Sequence, residues 1–356
     1  GSISHLGIVV LPTLLALAES RYVSGAAFIA AAVVGYEVGG RIGRAALDAD
    51  VARIHRPTGI TGPLAAAAAG AHLVGLALPG ATSALALAAN TCAGFNQWAH
   101  TGGSEMFFQA GLAARNAVAT VGLAAAGAFA SPSALDGEAG LFAALGRRAR
   151  ADEVELFEGA PEILSVYHKP VPACNFAQTA TVAAAEIVAA HTFKADDIVS
   201  VHVRVPLAGA RYPGCDARGP FVHVLQGKMS IQYNVCATLV AGSASERNFA
   251  LLDDRAVTRL VAATTLEVDD ALTRAYPHAQ GAEVAVTLAD GRVLRRRLED
   301  VRHASADEVL ARFRAAVSTV LGTPRMQAID EAIEHLDRAA DAAALPRLLR
   351  AARMDR

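Results

Sequence analysis

The feature that most constrains this chain is a gap in its charge: from residue 57 to residue 104 there is no Asp, Glu, Lys or Arg. An uncharged segment of that length is buried, either in a membrane or in the core of a large folded domain. A spanning helix needs about 20 continuous, strongly apolar residues. This run is cut at Gly62-Pro63, at Pro79-Gly80 and between Thr91 and Gly94, and it carries His72, Asn90, Asn96, Gln97 and His100. Many of its apolar residues are alanines, which add little to insertion compared with Leu, Ile or Phe. Buried helices of a helical domain are therefore expected, and a membrane is not expected as a partner. Residues 3–18 are also apolar, but Pro12 and the absence of a basic leader argue against a signal peptide.

At 356 residues the chain is long enough for two domains. It is 53% hydrophobic but only 5% aromatic, so its core is built from small residues that let helices approach closely. Lys and Arg (32) nearly balance Asp and Glu (34), which leaves no basic excess for a phosphate backbone and excludes nucleic acid as the main partner. Cys92, Cys174, Cys215 and Cys236 are widely spaced, with no C-x-x-C pair and no zinc spacing. Free thiols in a reducing cytoplasm are the expectation, with neither metal nor cofactor.

Gly and Pro punctuation sets out helices over 10–17, 25–44, 62–78, 83–90 and 111–130. The pattern breaks into loop at 131–137 and resumes as helix to 158. From Lys169 the texture changes: a helix over 174–190 precedes residues 198–205, whose alternation is that of a half-buried strand. Residues 283–288 and 292–295 flank Ala289-Asp290-Gly291 as a hairpin. Another helix takes in 235–241, and helix returns from 307 to 356. The fold class is α plus α+β: a large all-α domain (1–165), an inserted, smaller α+β lid domain (166–306), and C-terminal helices (307–356) that return to the first.

Four neighbourhoods place titratable groups beside Gly or Pro in apolar surroundings: Ser4 to Gly7, His55 to Gly62, Lys169 to Cys174 and Gly227 to Tyr233. The second opens a helix whose free amides suit a carboxylate. No G-x-S-x-G, P-loop or G-x-G-x-x-G after a strand is present, so NTP and hydride-transfer chemistry lack their usual sequence support.

Taken in order, these segments resemble the MmgE/PrpD family of 2-methylcitrate dehydratase, cis-aconitate decarboxylase and iminodisuccinate epimerase. Ser4-His5-Leu6-Gly7 with Val10-Leu11-Pro12 is similar to the family's H-P-[SG]…V-x-P-A, and Gly35-Tyr36-Glu37-Val38 with Arg41-Ile42-Gly43-Arg44 to its G-Y-E-V…R-I-G. His55 to Gly59 resembles its H-P-T-G/S-T loop, with Arg56 inserted. Ala110 to Asn116 resembles A-G-x-A-A-R-N, Lys169 to Cys174 resembles K-x-x-P-x-C/H, and Met229 to Tyr233 resembles F-S-[IL]-[PE]-Y. These six segments run in register over essentially the whole chain.

The resemblance implies a homodimer with its active site in the cleft between the two domains, acting without a metal on a small carboxylate. The reaction would remove a proton or CO2 next to that carboxylate, giving dehydration or decarboxylation by a lyase; epimerisation at the same carbon is the runner-up. Such a proton is weakly acidic, so a positioned base and a cation to stabilise the carbanion are both required. By motif match, His55 is the proton-transfer group, Lys169 the carboxylate clamp or acid, Tyr233 the proton donor and His5 a second imidazole. Thr58, Gly59, Met106, Arg115, Cys174 and Gln232 would bind substrate.

Two departures bear on this. The family's [ST]-K-x-x-H segment is here Glu105-Met106-Phe107-Phe108-Gln109, so Met106 replaces the lysine and Gln109 the histidine. Losing that clamp disfavours a tricarboxylate, and the two phenylalanines point to a larger or more apolar substrate group. The family's acidic H-A-x-D-x-D-D-[ST] stretch lies upstream of the His5 motif. It is expected from a preceding segment or from a second chain; a relative without it would be a non-catalytic scaffold or subunit.

Overall fold

The structure, a computed structural model, describes residues 3–350. Contacts divide the chain into two units: one holds residues up to 95, 106–166 and those from 306 on, and the other Asn96–Glu105 and Tyr167–Ser305.

The uncharged run becomes the centre of the first unit. It divides into the Pro57–Leu73 and Leu78–Ala89 helices, of 17 and 12 residues, both below the length a bilayer needs. Along Pro57–Leu73 every residue except His72 is buried. Packing that enclosed requires small residues on the neighbours as well. On the Gly25–Ala46 helix, a Cβ on Gly39 would lie 2.5 Å from the Ala65 Cβ, and one on Gly35 would lie 2.8 Å from the Ala69 Cβ. Glycine against alanine is thus what brings these two helices together. The Gly7–Glu19 and Glu105–Ala125 helices also reach this core, through Val9, Leu17, Ala113 and Val121.

Gly25–Ala46 is the one described helix long and apolar enough to cross a membrane, but 61% of its apolar window is buried within the protein. It also carries Glu37, fully buried, which accepts from the Phe157 and Glu162 amides (2.5 and 2.8 Å) and pairs with Arg41 at 2.9 Å. Burial alone would raise the Glu37 pKa. Those two amides and Arg41 outweigh it and hold the carboxyl below its ordinary value.

The second unit contains a four-stranded mixed sheet in the order β2-β1-β3-β4, from β1 (Ile198–Val205), β2 (Thr264–Val268), β3 (Ala282–Leu288) and β4 (Val293–Leu298). β1 runs parallel to β2 and antiparallel to β3, which forms the expected hairpin with β4. The Gln178–Ala190 helix packs on β3 and β4, and the Ile231–Ala241 helix packs against it.

Several expectations need correction. Residues 137–158 do not resume as a helix; they form the short Leu141–Ala144 helix and a 3-10 turn at Arg148–Glu153. The central helix begins at Pro57 rather than Gly62, because Pro63 is tolerated inside it. Pro63 has no N–H for the Gly59 carbonyl, and the Ala93 amide bonds that carbonyl instead, at 3.1 Å. Asn96–Glu105 groups with the second unit, where Asn96 donates to the Tyr212 hydroxyl at 3.3 Å. The helical return beyond 306 ends, among the described residues, with Ala344–Leu349; residues 351–356 lie outside them.

Candidate functional site

In the first unit, His55 sits where the Ala49–Ile54 helix ends and one residue before the N-cap of Pro57–Leu73. Its backbone pairs with Phe95 as an antiparallel bridge, and the two rings lie 5.8 Å apart. The next amide, of Arg56, donates to the Gly94 carbonyl at 3.0 Å. Gly59 is required here: a Cβ would fall 1.9 Å from the Ala93 carbonyl oxygen. The 93–95 loop thus lies directly on the His55–Gly59 backbone and fixes it. The imidazole itself remains half-buried.

His5 reaches the same helix start. Its amide donates to the Thr58 hydroxyl at 3.0 Å, and its Nδ1 lies 3.3 Å from that oxygen. Thr61 secures the neighbouring residue by donating to the Ser4 hydroxyl at 2.8 Å. Thr58 and Gly59 are themselves buried, so they support the histidines rather than line a ligand surface. The expected set of free amides is also reduced. Pro57 has none, and those of Gly59 and Ile60 bond to the Arg56 carbonyl (2.9 and 3.2 Å).

Gln109, where the family carries histidine, donates to the Phe95 carbonyl at 3.0 Å; its own amide oxygen is buried and unpartnered among the described residues. Met106 is half-buried in the first turn of the same helix. Arg115, six residues beyond Gln109, is about 120° around the helix from it. It is exposed and bonds Asn116 at 3.0 Å, so it is not brought to the His55 loop.

In the second unit, the Lys169–Cys174 loop hangs from one buried side chain. The Gln178 amide group donates to the carbonyls of Val171, Ala173 and Cys174 (3.0, 2.9 and 3.2 Å), and its oxygen accepts from the Val171 amide at 3.2 Å. Lys169 is half-buried, with Nζ 3.4 Å from the Ala173 carbonyl. The Cys174 amide donates to Lys228 O at 2.8 Å, and its Sγ lies 3.7 Å from that of Cys215. Gln232 joins this group by donating to Asp216 at 2.5 Å, and its amide oxygen is buried without a partner among the described residues. Lys169, Cys174 and Gln232 are therefore brought together, with Cys215 and Asp216 as companions the sequence reading missed. Gln232 is fully buried, so any ligand contact requires the neighbouring loops to move.

Tyr233 stands apart and corrects the expectation of a proton donor. It is fully buried between the rings of Phe221 and Phe249, and its hydroxyl donates to the Asn248 carbonyl at 2.6 Å. Burial, with Asp254 and Asp253 nearby, pushes its pKa up to about 12. That is a packing residue with a satisfied hydroxyl. A different phenol lies near the lysine loop: Tyr167 stacks on His303 at 4.8 Å and donates to the Asn175 side-chain oxygen. Burial, and after it Cys174, raises its pKa.

Among the described residues no group of three or more His, Cys, Asp or Glu is placed to hold a metal ion. No curated protein matches the chain closely enough to serve as a named relative. The model of the MmgE/PrpD N-terminal domain matches residues 1–153, and that of the MmgE/PrpD C-terminal domain matches residues 171–338. With both domain models matched in order along its length, the chain belongs to the MmgE/PrpD family.

Proposed function

We propose that this chain is an enzyme that makes a carbanion next to the carboxylate of a small acid, either by removing a proton and then expelling water or by removing CO2. The observation that carries the reading is a contrast in exposure. His55 and Lys169 are half-exposed on firmly held backbone, while Thr58 and Gly59 beside His55, and Gln232 and Tyr233 of the Met229–Tyr233 segment, are buried. A group that transfers protons must reach the substrate and stay oriented, and these two satisfy both requirements.

His55 takes the proton as general base. Lys169 holds the carboxylate and offsets the charge that develops as the carbon–hydrogen bond breaks; a fixed cation acts most strongly there because charge accumulates only in the transition state. The electron pair left on carbon then expels the β-hydroxyl, which leaves as water with the proton that His55 took; in decarboxylation the pair is generated by loss of CO2 and carbon takes a proton from the protonated His55 instead. Met106 in place of a cation favours a substrate with fewer carboxylates than a tricarboxylate. The chain acts as a homodimer, a reading supported by the exposed Phe108, Leu112 and Leu123 along one side of the Glu105–Ala125 helix.

A second reading is epimerisation. It is favoured by the two imidazoles at one helix start, because removing a proton with one base and returning it from another inverts a carbon. Incubation with a panel of small di- and monocarboxylates in D2O, followed by mass spectrometry, tests both. Deuterium at the carbon next to the carboxylate, with loss of water or CO2, supports the lyase. Label without mass loss, and with inverted configuration, supports the epimerase. No label from any acid overturns the enzymatic reading and leaves a scaffold or subunit.

A further inference from the structure

Two thiols that the proton transfer does not use stand together in the second unit. Cys174 ends the Lys169 loop and is half-buried, whereas Cys215 is fully buried on the 212–217 loop. Their Sγ atoms are 3.7 Å apart across 41 positions of sequence. A disulfide bond is about 2 Å long, so closure asks the two sulfurs to approach by less than about 2 Å. Both backbones are already pinned to one stretch: the Cys174 amide to Lys228 O, and Cys215 O to the Ile231 amide at 2.9 Å. Cys92 and Cys236 have other neighbours, the Ala88 carbonyl and the Thr264 hydroxyl, and burial pushes each thiol up to about 12.

We propose that Cys174 and Cys215 are a modification site, which a peroxide closes to a reversible disulfide that tethers the Lys169 loop to the 212–217 loop. Cys174 is the half-buried member of the pair and Cys215 the buried one, so Cys174 reacts first. Its thiolate attacks one peroxide oxygen, the O–O bond breaks, and the departing hydroxide takes up a proton as water. The sulfur of Cys215 then loses its proton and attacks the Cys174 sulfenic acid; the S–S bond forms, the S–O bond breaks, and a second water leaves. Two thiols are oxidised by two electrons and one peroxide is reduced to two waters. Burial holds the Cys215 thiol well above its ordinary value, Cys174 adds to that effect, and the Lys169 charge opposes it. Cys215 is thereby a resolving thiol that waits for a sulfenic partner. This thiol chemistry stands independently of the proton-transfer reading; only its effect on turnover rests on that reading.

The test is to treat the whole purified chain with hydrogen peroxide and follow intact mass, free thiols and cross-linked peptides. Loss of two hydrogens is expected, with free thiols falling from four to two and a peptide joining the 174 and 215 segments. Dithiothreitol should reverse all three. Cys174→Ser should abolish the cross-link, and Cys215→Ser should leave a Cys174 sulfenic acid that dimedone captures. A wild-type chain that keeps its four thiols overturns the proposal, as does a hydrogen loss that persists in both variants. Because the readout is covalent, it decides this point whether or not any carboxylate exchanges deuterium.

Discussion

The backbone around His55 is held by other backbone, whereas the backbone around Lys169 is held by a side chain. In the first unit, the 93–95 loop lies so close to Gly59 that no Cβ fits there, and two main-chain bonds (Arg56 to Gly94, within the His55–Phe95 bridge, and Ala93 to Gly59) complete the clamp. In the second unit, Gln178 makes four hydrogen bonds to the loop from a single amide. The first arrangement fails when volume is added and the second when a polar group is removed. A reacting side chain can thus be oriented by steric exclusion or by hydrogen-bond satisfaction, and each leaves a different mutational signature.

Gly59→Ala should give the largest effect. Its methyl must displace the Ala93 carbonyl and with it the loop that holds His55, which costs upward of about 3 kcal/mol. Denaturant melts should show that loss, with turnover falling alongside it. Gln178→Leu keeps the volume but leaves one buried N–H and three carbonyls to find new partners, at about 2–3 kcal/mol. Its distinguishing result is a Lys169-type defect with the His55 loop undisturbed, read as a lowered kcat together with a raised KM. If Gly59→Ala is tolerated, or Gln178→Leu melts like wild type, the contrast between the two arrangements fails.

Tyr233→Phe is the smallest change and the sharpest on roles. Losing the bond to the Asn248 carbonyl costs about 1 kcal/mol of stability. Deuterium exchange should nevertheless continue at close to the wild-type rate, because the hydroxyl is enclosed. An exchange rate reduced by about 100-fold or more would restore Tyr233 as the proton donor that its motif implies.

These side chains also mark how far the sequence could be read. Gly and Pro punctuation is local chemistry, so the Gly25–Ala46 helix, β1 and the β3–β4 hairpin were legible from it. β2 was not, because a largely exposed edge strand paired on one side carries little alternation. Motif resemblance singles out His55 and Lys169 as candidates, but a motif does not state which of its residues faces outward. Tyr233 and Gln232 follow directly in the chain from Ser230 and Ile231, and all four are buried because the Ile231–Ala241 helix is enclosed on every side. Gln178 and Cys215 were invisible for a different reason. Their importance lies in what the fold brings next to them, and neither stands in a recognisable local pattern.

The most direct measurement is solvent deuterium exchange into the carboxylate substrate by wild type, His55→Ala and Lys169→Ala, each verified as folded by its melt. Both variants should lose exchange by at least about 100-fold while their melts stay close to wild type. Undiminished exchange in His55→Ala would contradict the role given to His55, because the proton would then be leaving to some other base.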